Sequence, residues 1–202
     1  MTDFNAQSKK AYDKKASDYD NTLDGRFTKK FKELLTAHVE VKDNYSVLDV
    51  GCGNGSLLAD ISKLETVQGY GVDISGEMIK VASKKYPQLK FQVAGCEQLP
   101  FGDATMDIIT VCAAYHHFPD VCAFAKEAAR VLKPNASLYI AEIYLPKALR
   151  VVCNPLIRLQ RAGDVKFYSA QETIETFANV GFEAASVVKE GNVQIIKLSR
   201  IR

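Results

Sequence analysis

One short stretch of the sequence combines an acid with closely spaced glycines. Asp49 follows an apolar run, and three glycines come next at alternate positions, Gly51, Gly53 and Gly55. Glycine lets the backbone approach a ligand, and the free amide groups at the start of the following helix favour negative charge. An aspartate beside such a turn repels a pyrophosphate but attracts an ammonium group. The stretch therefore predicts a binding site for a ligand that carries an ammonium group.

A second acid, Asp73, ends the next predicted strand. A carboxylate at this place can accept hydrogen bonds from both hydroxyls of a ribose, as in nucleotide-binding doubly wound folds. The glycine spacing differs from the dinucleotide fingerprint G-x-G-x-x-G, because Ser56 takes its last position. This spacing and the charge of Asp49 disfavour a nicotinamide-dependent oxidoreductase, which remains the alternative enzyme class.

Strands that alternate with helical patterns must position these acids. The predicted strands are 47–50, 67–72, 89–94, 107–112 and 137–143. Such alternation is typical of a parallel α/β sheet. A capping box at 169–172 predicts a helix, and two strands at 182–189 and 192–199 predict a hairpin. We therefore predict an α/β fold with a doubly wound, Rossmann-like, seven-stranded sheet. The sheet is mostly parallel, ends in an antiparallel hairpin and is covered by an N-terminal helical lid.

The 202 residues suit a single domain. We divide it into a helical lid (1–40), a ligand-binding core (41–143), a variable segment on the side of a second substrate (144–168), and a helix with the closing hairpin (169–202). The variable segment mixes apolar residues with Arg150, Arg158 and Arg161. It could roof an apolar substrate or pair with a second subunit in a homodimer.

Composition narrows the range of partners. The net charge of +2 is too small to predict nucleic-acid binding, and no apolar stretch is long enough to span a membrane. Five cysteines, an odd number, and a polar start without a signal peptide predict reduced thiols and a cytoplasmic location. Cysteines and histidines do not show the spacing of a zinc site, so no metal is expected.

Several motifs in order resemble the class I S-adenosylmethionine-dependent methyltransferases. The resemblance is to their small-molecule branch, which includes the ubiquinone and menaquinone biosynthesis enzymes. Residues 48–55 resemble the first motif, 71–75 with Met78 the second, and 97–101, 107–118 and 130–134 the later ones.

The resemblance implies S-adenosylmethionine as the cofactor. Asp49 would hold its methionine ammonium and Asp73 its ribose hydroxyls. The other implied contacts are Tyr12, Tyr19, Gly51, Cys52, Gly53, Gly55, Ile74, Met78, Gly95, Cys96 and Cys112. Tyr12 and Tyr19, on one side of a helix, would close over the ligand. Gly95 stands where many members carry an aspartate that binds the adenine amino group, although the Cys96 amide remains available.

Transfer from a sulfonium to a small-molecule methyl acceptor needs mainly in-line positioning, and it needs a base only if the acceptor must lose a proton. His116 and His117 follow the fourth strand, where we expect one to face the cleft and the other to pack behind it. Two alternatives stay open. A protein of this fold can bind the cofactor without turnover, and Cys52, Cys96 and Cys112 could act as thiolates on arsenic or another soft element.

Overall fold

A single seven-stranded sheet forms the centre of the protein. The computed structural model describes residues 4–157 and 163–201. The strands are β1 (Ser46–Val50), β2 (Gln68–Asp73), β3 (Lys90–Val93), β4 (Met106–Cys112), β5 (Leu132–Ile143), β6 (Phe182–Glu190) and β7 (Val193–Arg200), in the spatial order β3-β2-β1-β4-β5-β7-β6. β1 to β5 are parallel, and β7 runs antiparallel between β5 and β6. The predicted fold class is confirmed.

Seven α-helices pack around this sheet within the described residues. They are α1 (Phe4–Lys15), α2 (Leu23–His38), α3 (Ser56–Ile61), α4 (Gly76–Lys85), α5 (Val121–Val131), α6 (Lys147–Ile157) and α7 (Ala170–Ala178). Short 3₁₀ helices cover Ala16–Asn21 and Tyr115–His117. α7 begins at the predicted capping box, in which Ser169 and Glu172 bond each other's backbone amides. None of these helices is long and apolar enough to cross a bilayer.

The central strand β1 is buried because helices cover both faces of the sheet. Val47, Leu48 and Val50 are at most 1% exposed. Each such side chain contributes about 1.5–3 kcal/mol by leaving water. Asp49 pairs in register with Gly71 of β2 and Thr110 of β4. The register therefore places Asp49 inside the sheet, between β2 and β4, and close to the carboxyl end of β1.

Two predicted boundaries differ from the structure. β5 begins at Leu132 rather than at 137, because residues 133–135, whose sequence Lys-Pro-Asn is typical of a turn, form an irregularity inside the strand. Met106 pairs with Leu132 before the irregularity and Ile108 pairs with Ser137 after it. α3 ends at Ile61, although the helical spacing of Leu57, Ile61 and Leu64 in the sequence predicts a longer helix. Of the variable segment, Arg158 and Arg161 lie outside the described residues.

Candidate active site

A cavity lies at the carboxyl ends of β1, β2 and β4, below the N-terminal helices. Its lining contains most of the predicted site residues: Tyr12, Tyr19, Asp49, Gly51, Cys52, Gly53, Asp73, Ile74, Met78, Gly95, Cys96, Cys112 and His117. It also contains Asn5, Ser8, Thr28, Lys32, Val50, Leu57, Ala94, Ala113, Ala114 and Phe118. The topology of parallel sheets explains this convergence, since strands that run the same way end at the same edge.

Two predicted site residues are absent from this lining, Gly55 and His116. Gly55 has a left-handed φ of 77° at the start of α3, and a Cβ there would lie 2.7 Å from the Phe91 ring. Its missing side chain therefore allows close packing of α3 on the sheet, and its contact with a ligand stays a prediction. His116 is buried behind the cavity wall.

The glycine turn is fixed to the end of β2. The amides of Gly51 and Cys52 both donate to the Val72 carbonyl, at 2.8 and 3.0 Å. Gly51 has a φ of 74°, and a Cβ at this position would lie 2.6 Å from the Ala114 Cβ. The turn thus follows a path between β2 and the loop after β4 that only glycine can take.

Asp73 is held by backbone amides on both of its carboxylate oxygens. Gly53 donates to Oδ2 and Ser75 donates to Oδ1, each at 2.8 Å. Burial raises the pKa of Asp73, and these two amides partly oppose the rise. An ionised carboxylate offers about four lone-pair sites, so two remain for a ligand.

Asp49 is almost fully buried, with 2% of its surface exposed. The Thr110 hydroxyl donates to its Oδ1 at 2.8 Å. Burial raises the pKa of Asp49 to about 7, although Thr110 and the positive charge of Lys32 act in the opposite direction. A cationic group beside Asp49 would compensate the buried negative charge, which makes this position suited to an ammonium group.

Polar contacts attach the N-terminal helices to the loops that follow β1 and β2. The Ser75 hydroxyl donates to Asp13 at 2.6 Å, and the Asn54 side chain donates to Asp20 at 2.7 Å. Tyr12 and Tyr19 lie with ring centroids 6.1 Å apart. They do not share one helix as predicted, because Tyr19 belongs to the 3₁₀ helix and Asp18 between them has non-helical angles. Burial raises the pKa of both phenols, that of Tyr19 to about 12.

The side chains of the two neighbouring histidines point in different directions. His117 lines the cavity, and its Nε2 lies 2.9 Å from the Tyr12 hydroxyl. His116 points away, with its Nδ1 2.9 Å from each carboxylate oxygen of Glu142. Burial lowers the pKa of His117 well below its usual range, and the neighbouring His116 lowers it further. Burial would also lower the pKa of His116, but the carboxylates of Glu142, Asp164 and Asp24 together outweigh it and the net shift is upward.

Three further charged residues lie at or behind the cavity and belong to none of the predicted motifs, Lys32, Glu142 and Asp164. Lys32 lines the cavity and donates to the Ser56 hydroxyl at 2.7 Å. The Asp164 Oδ1 lies 3.2 Å from Nδ1 of His117 and 3.5 Å from Nε2 of His116. Glu142 ends a predicted strand, so the strand-end argument that selected Asp73 could have found it. For Asp164 the sequence carries no signal.

The nearest ligand-type atoms of His116, His117 and Asp164 lie within 4.8 Å of one another. Within the described residues, this is the group of side chains whose ligand atoms are close enough together to hold a metal ion. The prediction that no metal binds used sequence spacing alone, which could not include Asp164, and it stays a prediction.

The three cavity cysteines are poor thiolates. Burial raises the pKa of Cys52, Cys96 and Cys112, so each thiol stays protonated at neutral pH. Chemistry on a soft element needs thiolates, and this environment disfavours it.

A family model described as "Methyltransferase domain" matches residues 48–140. Over these residues, just under half of the chain, the sequence is similar to the class I methyltransferases. The demethylmenaquinone methyltransferase of Chlorobaculum parvum is 35% identical over 109 residues, which are 54% of this chain and 45% of that protein. The chain therefore spans about half the length of the curated relatives it matches.

Solved structures share the fold of this chain. A Haloferax volcanii protein in complex with the Trm112 methyltransferase activator has a TM-score of 0.83 at 20% identity, covering 95% of this chain and 98% of that one. The YcgJ protein of Bacillus subtilis has a TM-score of 0.73 at 23% identity, covering 86% and 99% of the respective chains. At these identities the likeness is one of fold.

Proposed function

We propose that this protein binds S-adenosylmethionine in the cavity and transfers its methyl group to a small-molecule acceptor. The observation that carries the proposal is the position of two carboxylates, the buried Asp49 and the half-buried Asp73, on either side of the glycine turn in one cavity. The buried Asp49 lacks a compensating cation at hydrogen-bond distance among the described residues, and a methionine ammonium would supply one.

The remaining cavity residues fit the other parts of the cofactor. Asp73 has acceptor capacity left for ribose hydroxyls, and Ile74 and Met78 offer apolar surface for the adenine. Lys32 adds a positive charge that suits the methionine carboxylate. When bound, the cofactor supplies an electrophilic methyl group on a sulfonium. The protein's own contribution is to orient both reactants and to exclude water.

The adenine end needs an acceptor in place of the aspartate that Gly95 replaces. A Cβ on Gly95 would lie 2.9 Å from Oε2 of Glu97, so the Glu97 carboxylate sits where a side chain at 95 would start. We infer that Glu97 provides the negative charge at this end, with the Cys96 amide beside it. The absence of a side chain at 95 makes room for this arrangement.

His117 is the side chain we propose to contact the acceptor. Its Nε2 faces the cavity wall formed by Tyr12, and burial keeps the ring neutral, the form that can accept a proton. His116 acts behind it and is a positioning residue. The name of the Chlorobaculum parvum relative makes a demethylmenaquinone analogue the first acceptor to assay.

A homodimer is the proposed assembly. α6 exposes four apolar side chains, Leu149, Val151, Val152 and Leu156, each more than half exposed. Pairing of two copies through α6 would cover them. Light scattering on the purified protein tests this, and a monomer at assay concentration contradicts it.

Calorimetric titration with S-adenosylmethionine and S-adenosylhomocysteine tests the cofactor. We expect micromolar binding to the wild type and at least tenfold weaker binding to Asp73→Ala. Asp60→Ala, on the exposed side of α3, is the matched control and should bind like the wild type. Failure of both ligands to bind the folded wild type contradicts the proposal, and binding of NADH instead supports the oxidoreductase. Labelled methyl transfer to an acceptor then separates an enzyme from a protein that only binds the cofactor.

A further inference from the structure

Four ionisable side chains form a continuous buried row behind the cavity. In order they are Glu142, His116, Asp164 and His117, with Tyr12 at the cavity end. Both oxygens of Glu142 lie 2.9 Å from Nδ1 of His116, and Asp164 Oδ1 lies 3.5 Å from its Nε2. The same Asp164 oxygen lies 3.2 Å from Nδ1 of His117, whose Nε2 meets the Tyr12 hydroxyl at 2.9 Å. The row connects the end of β5 to α1.

The backbone holds this row together as well. The amides of Val165 and Lys166 donate to the His116 carbonyl at 2.8 and 3.3 Å, which fixes the segment that carries Asp164. Gly163 has no room for a side chain, since a Cβ would lie 2.6 Å from the Ser8 nitrogen of α1. Asp164 is therefore placed by contacts on two sides, the His116 backbone and the first helix.

The row alternates carboxylates and imidazoles. His116 lies between the carboxylates of Glu142 and Asp164, and a protonated imidazole there donates toward both of them. Burial and the charge of His116 disfavour the cationic form of His117, so its ring is neutral before the reaction. Asp164, whose Oδ1 lies 3.2 Å from Nδ1 of His117, supplies negative charge that partly offsets the proton which His117 takes from the acceptor.

The position of Asp164 also selects the tautomer of His117. Asp164 Oδ1 is the acceptor nearest to Nδ1, although in the present side-chain orientation the pair lies outside hydrogen-bond geometry. A proton on Nδ1 is attracted by this carboxylate, which leaves the Nε2 lone pair free. Nε2 then accepts from the Tyr12 hydroxyl, a phenol that burial keeps protonated. The other groups that act on His117 are His116, the Lys15 charge and the Gly163 backbone, which opposes them.

We propose that Glu142, His116 and Asp164 form a proton-accepting network that keeps the Nε2 of His117 ready as a base, and that the methyl acceptor is a neutral compound whose attacking atom carries a proton. The inference rests on the proposed function. As the acceptor atom bonds to the methyl carbon, the pair of the broken C–S bond stays on sulfur and the acceptor's proton moves to Nε2. The acceptor's X–H group takes the place of the Tyr12 hydroxyl.

Nitrogen-15 NMR of the imidazole rings tests the network without knowledge of the acceptor. The chain has three histidines, and His38, exposed on α2, is an internal reference. The protein is kept saturated with S-adenosylhomocysteine. In the wild type at pH 7 we expect His116 to be charged and His117 to be neutral with its proton on Nδ1. A neutral His116 or a proton on Nε2 of His117 overturns the proposal.

Two near-isosteric variants separate the roles of the carboxylates. Asp164→Asn should move the His117 proton to Nε2 and lower the pH at which His116 loses its charge. Glu142→Gln should affect the His116 charge and leave the His117 tautomer unchanged. If Asp164→Asn does not fold, Glu142→Gln still tests the network. In that variant, a His116 that keeps its charge up to the same pH as in the wild type would contradict the proposal. S-adenosylhomocysteine binding in both variants should stay within about threefold of the wild type, and its loss in the wild type would instead refute the proposed function.

A divalent metal ion is the competing occupant of this cluster. An imidazolium between two carboxylates already supplies the positive charge that a metal would bring. The NMR spectra should therefore be the same before and after treatment with EDTA. Changes at His116 and His117 on chelation, or their micromolar titration by zinc chloride, would overturn the proton network in favour of a metal site.

Discussion

The Tyr12 hydroxyl and the His117 Nε2 atom lie 2.9 Å apart and join the first helix to the loop after β4. Their rings meet edge to face, with centroids 5.4 Å apart. This contact crosses the cavity wall, and it links the element that covers the cavity to the side chain proposed to act on the acceptor. An acceptor that reaches Nε2 must displace the Tyr12 hydroxyl.

Removing this hydroxyl should loosen the first helix. Tyr12→Phe leaves the Nε2 of His117 without its partner, so we expect the free energy of unfolding to fall by about 1–2 kcal/mol in urea titrations. Tyr19→Phe is the matched control, because its hydroxyl lies 3.5 Å from that of Thr28 and contributes little. Equal losses in the two variants would contradict the importance of the Tyr12 contact.

Asp49 should reduce the stability of the unliganded protein above neutral pH. Its pKa is about 7 in the folded state, against an ordinary value of 3.8. Between these values the unfolded chain holds fewer protons, so the contribution of Asp49 to stability falls as pH rises from about 4 to 7. Asp49→Asn, which can still accept from Thr110, should be more stable than the wild type by ~2–4 kcal/mol at pH 8. The difference should vanish near pH 4, where a persisting difference would point to another cause.

The same carboxylate should make cofactor binding depend on pH. An ammonium group needs ionised Asp49, so the affinity for S-adenosylmethionine should fall about tenfold per pH unit below 7. Calorimetric titrations from pH 5.5 to 8.5 measure this. Asp49→Asn should bind weakly at every pH and lose the slope. A slope that persists in this variant would assign the proton to another group, with Asp73 the first to examine.

Two glycines of the turn that lines the cavity, Gly51 and Gly53, should differ in their tolerance of alanine. Gly53→Ala meets no atom within 4 Å and suffers only the left-handed backbone, a cost of about 1–2 kcal/mol. Gly51→Ala adds a contact at 2.6 Å with the Ala114 Cβ, so its loss should be larger by about 1–3 kcal/mol. Thermal and urea unfolding measure both. Similar losses would mean that the loop after β4 moves away freely.

We expect the adenine end of the cavity to need one carboxylate, which either position 95 or position 97 can supply. Glu97→Gln should weaken S-adenosylhomocysteine binding about tenfold if Glu97 supplies the negative charge there. Gly95→Asp alone should also weaken binding, because the new carboxylate starts 2.9 Å from the Glu97 oxygen. The double variant Gly95→Asp, Glu97→Gln should recover most of the affinity. Unchanged binding by Glu97→Gln would remove Glu97 from the site.

Local patterns in the sequence predicted the sheet and its central acids. Asp49 and Asp73 each end a strand beside a turn, and the spacing of strand, glycine turn and helix is visible within a few residues. Parallel pairing then follows from the alternation of strands and helices, so the amino-acid sequence alone suffices to place both acids at one edge of the sheet.

Contacts between segments that are distant in the sequence could not be predicted from local patterns. Asp164 reaches the histidines because the Val165 amide pairs with the His116 carbonyl, and no local pattern encodes that pairing. Glycine suits both ligand approach and close packing, so the sequence around Gly55 does not show that a Cβ there would meet the ring of Phe91. Tyr19 does not share the helix of Tyr12, because the chain bends at Asp18 within a stretch of helix-forming composition.

The polar character of α1 has a consequence for how the cavity responds to temperature. Ser8 is its one buried residue within the described structure, and contacts such as that between Asp13 and Ser75 hold it in place. Detachment of α1 exposes its polar contacts together with the Tyr12 ring and the apolar residues beneath it, a much smaller apolar surface than the core of the sheet. The heat-capacity change of this opening is therefore smaller than that of unfolding the domain. Its van 't Hoff plot should accordingly curve less, so that the enthalpy of opening the cavity changes less with temperature than the enthalpy of unfolding.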